Sequence, residues 1–159
     1  MLPFRDIALL AFDIDGTLTD GTTWWGGEQR GWLQRYSVRD GEAILRLKYR
    51  VPVLPLSRNK TLAARVRMEG LGLDTRWLGV NDKIPALLAL CEAYEVPLEK
   101  VAFLGDGPDD ALVFARVGLG CAVADAHPTA LEAAHVVLRS AGGARVMEEF
   151  EALTLREDP

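Results

Sequence analysis

An unbroken apolar run, Ile7 to Phe12, stops at two carboxylates one residue apart, Asp13 and Asp15, with Gly16, Thr17 and Thr19 directly behind them. Apolar residues without alternation predict a strand buried on both faces, as in a central parallel strand covered by helices. The acids then fall at the strand's C-terminal end, where ligands bind in open α/β sheets. Carboxylates held that close repel each other, and a site that keeps both ionised needs a cation. Clustered oxygens favour a hard one such as Mg2+. The same letters also suit an Asp-rich turn capping a strand, because Asp and Gly are common turn residues. Spacing alone does not separate the two readings.

The chain beyond the acids must build the rest of the sheet. Thr22 to Trp25, a turn at Gly26-Gly27-Glu28, and Trp32 to Val38 predict a β-hairpin flap over about 22–38. Its Trp24, Trp25, Trp32 and Tyr36 are more aromatic surface than an isolated two-stranded flap can bury. They imply a partner surface, most economically another copy of the chain, or packing against the chain's own sheet.

A helix follows from Asp40, as N-cap, to Tyr49, then an irregular, edge-like strand Val51 to Leu56 carrying Pro52 and Pro55. Leu62, Val66 and Leu71 mark the next helix, and Arg76 to Leu78 reads as a short third strand. Asn81 or Asp82 caps a helix from Lys83 to about Tyr94; a lysine in a first turn opposes the helix dipole, so its placement asks for a reason. Val101 to Leu104 is a strand that ends in a second acidic cluster, Asp106, Asp109 and Asp110. Helix Ala111 to Val117, strand Cys121 to Ala124, helix Pro128 to Ala134, strand Val136 to Leu138 and helix Ala144 to Leu153 complete the chain. This alternation predicts an α/β fold with a doubly wound parallel sheet and no insertion long enough for a large cap domain.

At 159 residues the chain suits one domain, 1–159. No apolar run approaches the roughly 20 residues that span a bilayer, and Met1 to Asp6 lacks a basic region before an apolar core, so the expected location is cytoplasmic. A net charge of −5 with scattered basic residues argues against a nucleic-acid partner. Cys91 and Cys121 form no CxxC pair and read as small core residues. His127 and His135 have no metal-ligand partner at useful spacing and read as structural.

Strand ends now carry Asp13 and Asp15, Ser57, Lys83 just beyond the third strand, and Asp106 with Asp109 and Asp110. In a parallel sheet these converge. Phosphoryl transfer from an ester to water calls for this inventory: a nucleophile, a proton donor for the leaving alkoxide, a metal, and positive charge around the transferring oxygens.

The same residues, in the same order, resemble the haloacid dehalogenase superfamily of Mg2+-dependent phosphatases, a Rossmann-like fold, over nearly the whole chain. Asp13-Ile14-Asp15-Gly16-Thr17-Leu18-Thr19-Asp20 is similar to its first motif, Ser57 stands at the second, Lys83 at the third, and Gly105-Asp106 with Asp110 at the fourth. The resemblance implies Asp13 as nucleophile forming an aspartyl-phosphate, Asp15 as general acid and base, and Ser57 and Lys83 as phosphate holders. It implies Mg2+ held by Asp13, the Asp15 backbone carbonyl and Asp106, with Gly16 close to the substrate phosphate. Tyr36 to Gly41, Gly120 to Pro128 and Ala141-Gly142-Gly143 are similar to the cap-less branch of 3-deoxy-manno-octulosonate-8-phosphate phosphatases. There, hairpins assemble a homotetramer whose neighbouring subunits help enclose the substrate. Arg67 falls where that branch has an arginine suited to the substrate's carboxylate.

Departures bear on the substrate. The octulosonate branch has Thr-Gly-Arg at the second motif, and a nonulosonate-phosphate relative has Glu at the third of those positions. Here the letters are Ser57-Arg58-Asn59, which places Asn59 at a substrate-reading position and matches neither. Gly107 and Pro108 replace an acidic and an aliphatic residue of the fourth motif. The expected substrate is a small phosphate ester of a sugar acid, 3-deoxy-manno-octulosonate 8-phosphate in the first instance and a nonulosonate 9-phosphate as the alternative. Two readings from other classes are a non-catalytic oligomerisation module with the same fold, against which Asp13, Asp15, Lys83 and Asp106 argue, and a phospho-acceptor receiver domain, which gives no reason for a hairpin after the acids.

Overall fold

The computed structural model describes residues 3–156, so the two ends of the 1–159 range and the Met1-Leu2 start lie outside the described residues. The run after Ile7 becomes β1 (Leu9–Phe12), every residue of it buried, as a strand covered on both faces requires. It pairs in parallel with β4 (Val53–Pro55) on one side and β5 (Val101–Gly105) on the other. Two more parallel strands, β6 (Leu119–Ala122) and β7 (Val136–Val137), complete a sheet of order β4-β1-β5-β6-β7. The prolines have a place here: Pro55 has no N–H to give and sits in the outermost strand, β4.

Six helices fill the connections: α1 (Val38–Leu47), α2 (Leu62–Gly70), α3 (Lys83–Tyr94), α4 (Pro108–Phe114), α5 (Pro128–Ala133) and α6 (Val146–Arg156). Right-handed crossovers put α1, with α6 against it, on one face and α3, α4 and α5 on the other. The connection leaving β1 runs toward β4 and that leaving β5 runs toward β6, so the sheet switches direction between β1 and β5. That crevice is where an open α/β sheet binds its ligand. Among the described residues no helix is long and apolar enough to cross a membrane.

Several local expectations are corrected. Helix α1 starts one turn early because Ser37, not Asp40, is its N-cap; the Ser37 hydroxyl accepts the Asp40 N–H at 3.3 Å. Asp40 instead lies buried, and its Oδ1 accepts the N–H of Met147 at 2.8 Å and of Glu148 at 3.3 Å, capping α6. The third strand, Arg76 to Leu78, reduces to one bridge between Ser57 and Leu78, because a turn closed by the Leu78 N–H on Thr75 O takes up that segment. Of the residues that marked α2, Leu62 and Val66 are exposed and Leu71 is buried, and within the helix Ala64 and Met68 face the core.

The hairpin shrinks to two residues per strand, β2 (Trp24–Trp25) and β3 (Trp32–Leu33), paired antiparallel across Gly26 to Gly31. Trp25 and Trp32 meet edge to face at 5.4 Å, yet Trp24, Trp25 and Trp32 stay 49%, 51% and 52% exposed. The chain's own sheet therefore does not cover them. Cys91 and Cys121 are buried and unpaired with each other, and burial raises both thiols above the usual cysteine range. Both histidines accept backbone N–H groups: His127 Nδ1 from Thr129 at the head of α5, His135 Nδ1 from Gly120 in β6.

Candidate active site

Strand register places Asp13 at the crevice. Its N–H extends the ladder to Leu104 O at 2.9 Å, and its Oδ1 accepts the N–H of Ile14 at 2.7 Å. The other oxygen, Oδ2, lies 3.1 Å from Lys83 Nζ. Lys83 opens α3 and is 5% exposed; its ammonium also meets Asp110 Oδ1 at 2.5 Å. This is the reason for a lysine in a first helical turn: two buried carboxylates outweigh the helix dipole. Burial alone would push the ammonium toward neutrality, but Asp13 and Asp110 overcome it and hold Lys83 above the usual lysine range.

Asp110 stands in the first turn of α4 and orders the second acidic cluster. Its Oδ2 accepts the N–H groups of Asp106 and Gly107, both at 2.9 Å, which fixes the loop leaving β5. Gly105 allows this approach, since a Cβ there would lie 2.5 Å from Asp110. Asp106 then faces Asp13, and Thr17 Oγ1 donates to Asp106 Oδ1 at 3.1 Å. Burial first, then the charges of Asp13 and Asp110, push the Asp106 carboxyl up to about 7. Carboxylate oxygens of Asp13, Asp106 and Asp110 all lie within 4.8 Å of one another. Mutual repulsion on that scale fits a site completed by a hard divalent cation. Asp110 meets Lys83 and two backbone N–H groups, Asp13 meets Lys83 and the Ile14 N–H, and Asp106 accepts from Thr17, so Asp106 is the least committed of the three carboxylates.

Between Asp13 and Asp106 the chain makes a wide turn over Ile14–Leu18, closed by the Thr19 N–H on Ile14 O at 3.0 Å. Gly16 sits in it at φ +80°, and a Cβ there would lie 2.1 Å from Asp106 Oδ2. Only glycine fits. Asp15 turns its carboxylate the other way, toward the hairpin, where Oδ1 accepts the amide N–H groups of Gln34 and, at 3.1 Å, of Asn59.

Ser57, following β4, is 1% exposed; its N–H reaches Trp77 O at 3.1 Å and its Oγ accepts the Asn59 N–H at 3.2 Å. An open cleft of about 380 Å³ joins Asp13, Asp15, Ser57 and Lys83 to Asp106 and Asp110, with Arg58 and Asp109 ion-paired at 2.9 Å on its rim. A second cleft of about 380 Å³, lined by Arg139, Arg145 and Arg156 beside α6, has no comparable cluster of acids around a buried lysine.

Asp13, Asp15, Ser57, Lys83, Asp106 and Gly16 are thus brought together. Asn59 has different partners from those a substrate reader needs. Its Nδ2 serves Asp15 and Gln34 and its Oδ1 accepts both the N–H and the hydroxyl of Thr61, at 2.9 and 2.8 Å, so the amide is saturated. Arg67 lies outside the cleft lining: its guanidinium sits 6.0 Å from the Tyr36 ring, Nη2 is 3.5 Å from Ser37 O, and Nε is buried without a partner. Gln34 was not legible as a site residue. Its position just past the hairpin's second strand was the available signal.

A profile of the haloacid dehalogenase-like hydrolases matches residues 79–146. The 3-deoxy-D-manno-octulosonate 8-phosphate phosphatase of Yersinia pestis is 36% identical over 157 residues, covering 96% of this chain and 82% of the relative. A 1.95 Å crystal structure of that phosphatase from Yersinia pestis matches the fold with a TM-score of 0.89 at 34% identity, covering 96% of this chain and 83% of the other. The cobalt-bound form of the deoxy-D-mannose-octulosonate 8-phosphate phosphatase from Haemophilus influenzae matches with a TM-score of 0.88 at 31% identity, covering 96% and 90%.

Proposed function

The chain belongs to the haloacid dehalogenase-like phosphatases, in the family of the 3-deoxy-D-manno-octulosonate 8-phosphate phosphatases, and from that premise we propose that it hydrolyses a sugar-acid phosphate through an aspartyl-phosphate on Asp13. The observation that carries the reading is Lys83 buried between Asp13 and Asp110 at the crevice between β1 and β5, with Asp106 facing Asp13.

Asp13, held on one oxygen by the Ile14 N–H, attacks phosphorus in line. Asp15 gives a proton to the departing alkoxide and takes one from the water that then releases phosphate. Lys83 and Ser57 hold the transferring oxygens. Asp13, Asp106 and the Asp15 backbone carbonyl would hold Mg2+, a choice the all-oxygen donor set favours, and the cobalt-bound form of the Haemophilus influenzae relative supports a divalent cation there. Bound there, the metal neutralises the crowded oxygens of carboxylates and phosphate.

The half-exposed Trp24, Trp25 and Trp32 support a second copy of the chain as their cover, and a homotetramer as the assembly that brings a neighbour over the open cleft. Octulosonate 8-phosphate is the first substrate to try. The experiment is hydrolysis with Mg2+ across a panel of phosphorylated sugars and sugar acids, for the wild type and for Asp13→Asn. Sugar-acid phosphates should exceed simple esters by tenfold or more in kcat/KM, and Asp13→Asn should abolish turnover. Retained turnover in Asp13→Asn would overturn the nucleophile, and a flat panel would overturn the substrate class.

A further inference from the structure

Asp15 receives two N–H donors on the same oxygen, and each donor is itself held. Asn59 is anchored through its Oδ1 by the Thr61 N–H and hydroxyl, at 2.9 and 2.8 Å, at the head of α2. One Nδ2 hydrogen points to Asp15 Oδ1 at 3.1 Å and the other to Gln34 Oε1 at 2.8 Å. The Gln34 carbonyl oxygen also accepts the Tyr36 hydroxyl at 3.2 Å, and its Nε2 donates to Asp15 Oδ1. Burial, together with the charge of Asp15 and against that of Arg67, pushes the Tyr36 phenol up to about 12. The hydroxyl therefore stays a donor. Among these contacts every donor has one acceptor and no amide has a free choice of orientation.

On this geometry, and resting on the phosphatase reading above, we propose that Gln34 and Asn59 are positioning residues that occupy Oδ1 of Asp15 and reserve Oδ2 as the oxygen that moves the proton. In the first half-reaction an Asp13 oxygen bonds to phosphorus, the bond from phosphorus to the ester oxygen breaks, and its electron pair takes the proton from Asp15 Oδ2. In the second, water bonds to phosphorus, its proton passes to Asp15 Oδ2, and the acyl-phosphate bond breaks to restore the Asp13 carboxylate. An oxygen already accepting two N–H hydrogens has no convergent direction left for a third. A carboxyl free to rotate would present either oxygen and lose the alignment that general acid catalysis needs.

The test exploits leaving groups. An alkyl phosphate needs a proton on its departing oxygen, whereas 2,4-dinitrophenyl phosphate departs without one, and kcat/KM reports only the steps through that departure. Gln34→Met keeps the side-chain length and removes both amide functions; Asn59→Asp keeps the acceptor for Thr61 and removes the donor. In each variant, with Mg2+, the ratio of kcat/KM for the alkyl ester to that for the dinitrophenyl ester should fall about tenfold or more, within the roughly 100-fold that misplacement of a catalytic group costs. An unchanged ratio, whether both activities stay or fall in the same proportion, overturns the proposal. Asp13→Asn is run beside them: retained turnover of either ester there overturns the phosphatase reading itself, a separate outcome from the ratio.

Discussion

Lys83 Nζ and Asp110 Oδ1 stand 2.5 Å apart, both buried, although one opens α3 and the other opens α4. The pair joins two helix starts and, through the second Asp110 oxygen, sets the loop that carries Asp106. Removing one member of a buried pair leaves a charge without its partner, which typically costs about 3–5 kcal/mol. Asp13 remains beside Lys83, so Asp110→Ala should lose about 3 kcal/mol in urea denaturation. Its Mg2+ requirement should also rise as Asp106 loses its backbone anchor. Wild-type stability and metal dependence in this variant would refute the linkage.

Gly16 is required on two counts, a positive φ and a Cβ position inside Asp106. Gly16→Ala should cost about 1–2 kcal/mol from the left-handed backbone alone. Displacement of Asp106 should weaken Mg2+ binding by tenfold or more, read by calorimetric titration of the folded variant. Equal affinity in both proteins would show that Asp106 has room to move.

Glu149 on α6 accepts the N–H of Arg139 at 2.9 Å and of Ser140 at 2.8 Å. Partial burial would raise its carboxyl, but these donors, the Ser140 hydroxyl and the Arg139 charge outweigh it and hold the group below its ordinary 4.5. A folded value below the unfolded one means that the unfolded chain binds more protons between them. The stabilisation is complete above 4.5 and is lost as pH falls through the folded value. Glu149→Gln should be less stable than wild type by about 1 kcal/mol at neutral pH, and the gap should close on acidification. A gap independent of pH would assign the effect to packing.

The exposed tryptophans give a solution prediction. Trp24→Ser with Trp25→Ser should lower the molecular mass measured by light scattering to that of a smaller assembly or the single chain. An unchanged mass would remove the hairpin from the assembly contact.

The legible parts of this molecule were those whose chemistry has one solution. A fully apolar run followed by carboxylates can only be a buried strand end or a turn, and Lys83 in a helix's first turn had no local excuse, so both pointed to the crevice where they meet. What stayed hidden depended on partners distant in sequence. Asp40 reads as a helix cap for its own helix and caps α6 instead. Leu62 and Val66 follow helical spacing, but only packing decides which face of α2 looks inward. Gln34 carries no motif, and its link to Asp15 exists only because the hairpin folds back over the strand ends. Arg76 to Leu78 had a strand's letters but lost the competition to a turn.

The Asp40 cap has a consequence in time. Its acceptor sits in the first helix and its donors in the last, more than a hundred positions later. Until α6 is in place, the part of α1 that α6 covers is open to water and the Asp40 carboxylate has nothing to cap. Such a long closure is entropically late, so the nascent chain holds a nearly finished sheet whose α1 face still lacks its second helix. The window for chaperone engagement and for aggregation is set by that one remaining helix.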